Sequence, residues 1–237
     1  LRHLKILAPI IAMAAMAMGC DNATDPDSDG VTAGYAVVRL NQFDPDRFAA
    51  GADAVDEFER IHAEQPGFLG TLGVDLGQGK QIDINLWETE DQANSALPTI
   101  GPVVARTLSP LMAAPSELIG TGQINKGAVG EGGSIAGYAV VRLNQFDPDR
   151  FAAGADAVDE FERIHAEQPG FLGTLGVDLG QGKQIDINLW ETEDQANSAL
   201  PTIGPVVART LSPLMAAPSE LIGTGQINKG AVAFQQF

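Results

Sequence analysis

Tyr35-Ala36-Val37-Val38-Arg39-Leu40-Asn41-Gln42-Phe43-Asp44-Pro45-Asp46 is the stretch on which the architecture turns. Its first nine residues alternate and are rich in β-branched and aromatic side chains, the pattern of a strand. Asp44 then suits a helix cap, Pro45 the first helical position and Asp46 the positive end of the helix dipole. Beyond it Phe48, Ala52, Val55, Phe58 and Ile61 recur at helical spacing, which predicts one amphipathic helix closed by Pro66-Gly67. Residues 68–76 read as a second strand, Gly77-Gln78-Gly79-Lys80 as a hairpin turn and 81–88 as a third strand. Thr89-Glu90-Asp91-Gln92 fits a capping box. The helix it opens is expected to break at Pro98 and at Gly101-Pro102 and to resume over 103–112, because proline lacks the N–H that a helix interior needs. Residues 116–125 supply a last strand. The order is βαββαβ, a ferredoxin-like α+β unit.

Outward from this unit, residues 33–129 return unchanged as 136–232, so 97 residues repeat at an offset of 103. Each copy is the size of a domain, which excludes short solenoid repeats. The expected division is 1–20, 21–32, a first domain 33–129, a linker 130–135, a second domain 136–232 and a tail 233–237. Helices cover one face of each antiparallel sheet, and the other face must meet a second sheet to leave water. The tethered copy is the obvious partner. Two such units would then pair into a dimeric α+β barrel, within one chain or between chains of a homo-oligomer.

The 237 residues carry 31 acidic against 14 basic side chains, a net charge of −17. That balance excludes a nucleic-acid partner held through its phosphates. The single cysteine excludes a disulfide framework and a multi-cysteine zinc site, and no metal ligand set is expected. Residues 1–20 combine Arg2 and Lys5 with an apolar run over 6–18, which is too short for a stable membrane span and suits a signal peptide. Ala17-Met18-Gly19-Cys20 resembles the bacterial lipobox, which implies a lipid on Cys20 and an address in the cell envelope, on the periplasmic or extracytoplasmic side. The acidic, turn-rich 21–32 reads as a tether. Without Arg2 and Lys5 the chain has 12 basic against 31 acidic residues, or −19, so acyl chains rather than charge would hold it to a membrane.

Period-two alternation sorts each strand into two faces. Ile82, Ile84 and Leu86 share one, and Asp83, Asn85 and Trp87 the other; Ala36, Val38 and Leu40 oppose Tyr35, Val37, Arg39 and Asn41. The purely apolar faces are expected under the helices. The mixed faces would then point between the sheets, either lining a pocket for a flat, polar-edged small molecule or filling a polar core. His62 and His165 fall near helix ends. They are read as meeting backbone carbonyls or solvent, with a general-base role as the other possibility.

The element order, Leu86-Trp87-Glu88-Thr89 and the helix that follows resemble the antibiotic biosynthesis monooxygenase family of the dimeric α+β barrel superfamily. The resemblance spans each whole copy on a short motif. It implies an oxidoreductase that uses no cofactor and acts on an aromatic or quinol-like small molecule. Asn85, Trp87 and Arg39, with Asn188, Trp190 and Arg142, are the catalytic candidates it implies: the guanidinium for a phenolate, the amide for a developing oxyanion and the indole for stacking. Tyr35, Asn41, Tyr138 and Asn144 are the substrate-binding candidates. Haem-degrading members of the superfamily carry an axial His on the second helix, where this chain has Ala96, Leu97 and Pro98, so haem is not expected. The alternative is a barrel that binds a small molecule, or serves structurally, without catalysis.

Overall fold

In the computed structural model, residues 33–126, 134–229 and 233–234 are described. The expected lipobox, tether and most of the linker and tail lie outside them. The first unit runs β1 (Tyr35–Phe43), α1 (Pro45–Ala50), α2 (Ala52–Ala63), β2 (Phe68–Gly77), β3 (Lys80–Trp87), α3 (Glu90–Thr107) and β4 (Met112–Lys126). A short β5 (Ser134–Ile135) precedes the second unit: β6 (Tyr138–Phe146), α4 (Pro148–Ala153), α5 (Ala155–Ala166), β7 (Phe171–Gly180), β8 (Lys183–Trp190), α6 (Glu193–Thr210) and β9 (Met215–Lys229). β10 (Ala233–Phe234) pairs with β5.

Local chemistry accounts for most boundaries. The Asp44 carboxylate accepts the N–H groups of Asp46 and Arg47 at 3.1 and 2.9 Å, and those bonds hold its pKa below the ordinary carboxylate value. The β2–β3 hairpin turns on Gln78 and Gly79, both at positive φ (53° and 77°), the two-residue turn whose twist matches the strands it joins.

Two expectations about helices are corrected. The first helix divides at Gly51, where a Cβ would overlap the Leu111 side chain, so the chain bends there to let that residue pack. Conversely, α3 runs unbroken through Pro98 and Pro102. Both prolines are exposed and four residues apart on the outer side, where water can take the freed carbonyls. The inner stripe Ala93, Ala96, Val103 and Thr107 is buried without interruption. Packing overrides the breakers.

The eight long strands close into one barrel in the order β1-β3-β2-β9-β6-β8-β7-β4. Each unit's last strand pairs with its own first strand and also reaches the other unit: β4 joins β7 through Gln123–Asp178 and Ile124–Val177, and β9 joins β2 through Val74–Ile227 and Asp75–Gln226. Glycines make these seams possible. A Cβ on Gly122 would collide with the Asp178 carbonyl, and one on Gly120 with Leu179 and Ile185. Gly225 and Gly223 stand in the same relation to Asp75 and to Leu76 and Ile82.

The barrel interior reverses the expected orientation of the faces. Ala36, Val38, Leu72, Val74, Ile82, Ile84 and Leu86 form one cluster with Ala139, Val141, Leu175, Val177, Ile185, Ile187 and Leu189 of the other unit. Val38, Val74, Ile82 and Ile84 have no exposed surface. The mixed faces therefore lie outside, beneath the helices. The physical reason is coverage: a closed ring of strands seals its interior from water completely, whereas two helices shield only part of an outer face. The most apolar surface takes the better-sealed side.

Candidate functional site

Cross-strand partners share a face, so the strand register lays out the helix-covered floor of the first unit in rows. Tyr35, Trp87 and Phe68 form one row, followed by Val37, Asn85 and Thr71, then Arg39, Asp83 and Gly73, and then Asn41, Gln81 and Asp75. Lys229 of β9 stands opposite Gly73 and extends the third row from the second unit. All five candidates of this unit thus come together on one face, outside the barrel rather than within it. The counterparts Tyr138, Arg142, Asn144, Asn188 and Trp190 repeat the arrangement.

The ends of this floor are covered and its middle is not. Tyr35, Trp87 and Asn41 are buried, while Val37, Arg39, Asp83, Asn85 and Thr71 are half-buried. The helices explain the gap. α3 packs Ala93, Ala96 and Ile100 on Tyr35 and Trp87, and His62 is the only fully buried residue of α2. The result is a half-covered strip of the outer sheet face with an aromatic end, here termed the groove.

That end is an aromatic box. The His62 ring stacks on Phe68 at 3.9 Å and lies 5.0 Å from Phe58 and 5.6 Å from Trp87, with Phe68 edge-on to Trp87 at 5.1 Å. His165 repeats this with Phe171, Phe161 and Trp190. The expected solvent- or carbonyl-facing histidine is corrected: α2 carries His62 inward against the rings. Burial there, reinforced by the positive charge of Lys229, pulls the His62 pKa down to about 4. It is a neutral ring at physiological pH, and a poor base.

Two buried polar atoms in each unit have no hydrogen-bond partner: Trp87 Nε1 and Asn41 Oδ1, and likewise Trp190 Nε1 and Asn144 Oδ1. Leaving such a group unpaired costs about 1–3 kcal/mol, and here the cost recurs in both units. Other polar groups are engaged. Asn85 Oδ1 accepts the Thr71 hydroxyl at 2.8 Å, which leaves its amide nitrogen as the group free to donate, and Asn188 does the same with Thr174. Arg39 donates to Ser116 Oγ at 3.4 Å, and Tyr35 donates to Glu90 at 3.5 Å.

Asp83 was not singled out as a candidate by sequence, although it occupies the centre of the floor. Its oxygens accept Asn41 Nδ2 at 2.7 Å and Gln81 Nε2 at 2.6 Å. Burial raises its pKa and nearby Glu59 adds to the rise, against the lowering effect of Lys229 and the two amides. An acidic residue within a strand that is otherwise apolar on its other face is the signal that could have found it. Lys229 had no such signal, because the last strand was expected to stop before it.

Among the described residues, no group of three or more His, Cys, Asp or Glu is placed to hold a metal ion. Ala96, one of the residues at the place where the family resemblance would put an axial His, packs its methyl group beside Trp87 and offers no ligating atom. The residues present do not fit a haem held in that way.

No family model matches the sequence, and no curated protein matches it. Solved structures do share its fold. A presumed monooxygenase of Fusobacterium nucleatum superposes with a TM-score of 0.57 at 9% identity, covering 86% of this chain and 99% of that one. An anthrone oxidase-like protein gives 0.53 at 14% identity, covering 81% and 93%. A chlorite dismutase variant from Candidatus Nitrospira defluvii gives 0.58 at 12% identity, covering 83% and 92%. The likeness establishes the fold: two βαββαβ units closed into one barrel. The fold hosts more than one chemistry among these neighbours, so function must be argued from the groove.

Proposed function

We propose that each outer groove binds a small hydroxylated aromatic or quinol-like molecule and oxidises it with molecular oxygen, without a resident cofactor. The observation that carries this reading is the recurrence, in both units, of an unpaired indole N–H beside an aromatic box and a half-open polar floor. A flat ligand stacked near Trp87 would give that N–H an acceptor. Arg39 would stand over a ligand phenolate, and the Asn85 amide would donate to oxyanion charge as it develops. Arg142, Asn188 and Trp190 take the same parts in the second unit, while Tyr35, Asn41, Tyr138 and Asn144 close the two ends of each groove.

The electron count closes without an added reductant. An activated methylene between aromatic rings becomes a carbonyl as one oxygen atom enters and the other leaves as water with the two displaced hydrogens. A hydroquinone becomes a quinone as oxygen becomes hydrogen peroxide.

Oxygen uptake by the chain with anthrone and hydroquinone tests the reading. Turnover above buffer is expected, with a fall of about tenfold or more in an Asn85→Ala/Asn188→Ala variant, the scale for losing one oxyanion donor. No turnover, together with no binding of either compound, would overturn it. Binding without turnover would leave a non-catalytic binder, the other function read from the sequence.

We further propose that the barrel is carried on a lipid at Cys20, on the outer side of a bacterial inner or outer membrane, supported by the apolar run and the lipobox-like residues before that cysteine. A Cys20→Ser chain is then expected in the soluble rather than the membrane fraction; equal partitioning of the two chains would sink the assignment.

A further inference from the structure

We propose that Asp83 is the residue that selects a hydroxylated ligand, by accepting its hydroxyl proton in a hydrogen bond, and that its site is completed by Lys229 of the other unit. This rests on the reading of the groove as a site for an aromatic molecule. Three features of the geometry carry it.

First, Asp83 sits in the half-buried third row, between Arg39 on β1 and Gly73 on β2. Gly73 brings no side chain, and that flank is closed by Asn228 and Lys229 of the second unit and by Gln81, so a ligand would reach the carboxylate from the half-buried outer side of the row. Second, the carboxylate is held in place. Asn41 and Gln81 each donate to one of its oxygens, and Gln81 is itself fixed by Asn228 of the second unit at 3.1 Å. Each carboxylate oxygen has a second lone-pair site, so a further donor can be received. The one unpaired acceptor beside it is the neutral Asn41 Oδ1, and the His62 ring lies in the aromatic row.

Third, the strand opposite Gly73 belongs to the second unit and delivers Lys229, whose ammonium pairs with Glu59 of α2 at 2.9 Å. The charged groups around Asp83 are Arg39 opposite it on β1, Lys229 on β9 and Glu59 on α2; the titratable His62 of α2 lies against Phe68 and Trp87 in the aromatic row. A Cβ on Gly73 would press on Asn228 and Lys229, so the close approach of this foreign strand depends on that glycine. The backbone register repeats in the second unit, with Lys126 opposite Gly176.

Equilibrium dialysis of the whole chain against 1-naphthol and 1-methoxynaphthalene tests this, because the pair differs in the hydroxyl proton. A hydrogen bond to an ionised group, at about 1.5–3 kcal/mol, corresponds to roughly a tenfold preference or more for the naphthol. An Asp83→Ala/Asp186→Ala chain is expected to bind the two compounds equally. A pH series on the unaltered chain gives the same reading without a substitution: the preference falls away as the pH drops and the carboxylate takes a proton. A Lys229→Met/Lys126→Met chain loses the Lys229 charge, which lowers the Asp83 pKa, so its preference falls away at higher pH. Equal binding of both compounds by the unaltered chain would overturn the role of Asp83 and leave the groove reading standing. A pH midpoint unmoved by the lysine substitutions would overturn the contribution from the other unit. If neither compound binds, the groove reading falls and this inference with it.

Discussion

The two sides of each sheet have opposite characters. Inside the barrel, aliphatic side chains of both units interlock around glycines, within strands paired in a closed ring. On the outer side the same strands carry an unpaired indole N–H, an unpaired amide oxygen and a carboxylate kept partly out of water, with the neutral His62 ring of α2 laid over them. Stability is concentrated on one side of the sheet and unspent chemical capacity on the other, separated by the thickness of a single strand. The β-pleat lets one strand serve both purposes, since alternate residues answer to different surroundings.

The strongest way to break this division is at the seams. In a Gly122→Val/Gly225→Val chain, each new side chain meets the backbone of the facing strand, which cannot yield without unpairing β4 from β7 and β9 from β2. A loss above about 4 kcal/mol in urea unfolding is expected, because both inter-unit ladders are broken together. Gly101→Ala is the matched control. It lies within α3 in open space, and alanine there is expected to add up to about 1 kcal/mol.

A milder test hollows the interior. Ile84→Ala is expected to cost about 2–5 kcal/mol, the range for removing a fully buried aliphatic group. Ligand affinity in the groove should stay within twofold, because Ile84 points away from it. A large affinity loss at unchanged fold would show that the two sides are coupled.

The smallest expected effect is set by pH. His62 titrates at about 4 in the folded chain against 6.5 unfolded. Between those values the unfolded chain binds the extra proton, so stability falls as the pH is lowered through this window, by about 3 kcal/mol at most. Asp83 acts in the opposite sense: its pKa is raised on folding, so its contribution is fully present at low pH and is lost as the pH rises through the folded value. Urea midpoints at pH 7 and pH 4.5 should differ less in a His62→Phe chain than in the unaltered one. An unchanged difference would mean that His62 is not the residue responsible.

Strand and helix order were legible because local chemistry fixes them: the Asp44 cap, the Gln78-Gly79 turn and the alternation of β3 each depend on a few neighbouring residues. The pairing of the units was legible from the need to cover an apolar face. What local patterns could not resolve was which of two coverings, helix layer or facing sheet, excludes water better, and the face carrying Asn85 and Trp87 was assigned to the wrong one. The same residues nonetheless gather on one surface, since alternation determines who shares a face whichever way that face points. The helix ends failed for a related reason. Leu111 and the buried stripe of α3 act across distances that a window around Gly51 or Pro98 does not contain. Asp83, Lys229 and the inward turn of His62 depend on contacts between distant elements, and for Lys229 between units.

Exact duplication inside one closed ring has an experimental consequence. In a barrel assembled from two separate identical chains, every substitution arrives twice and symmetry hides its origin. Here a residue can be altered in one repeat and kept in the other, so each molecule carries its own reference. Trp87 and Trp190 are the only indoles of the sequence, one in each groove, and exchanging either for phenylalanine leaves a single reporter whose emission belongs to a known half.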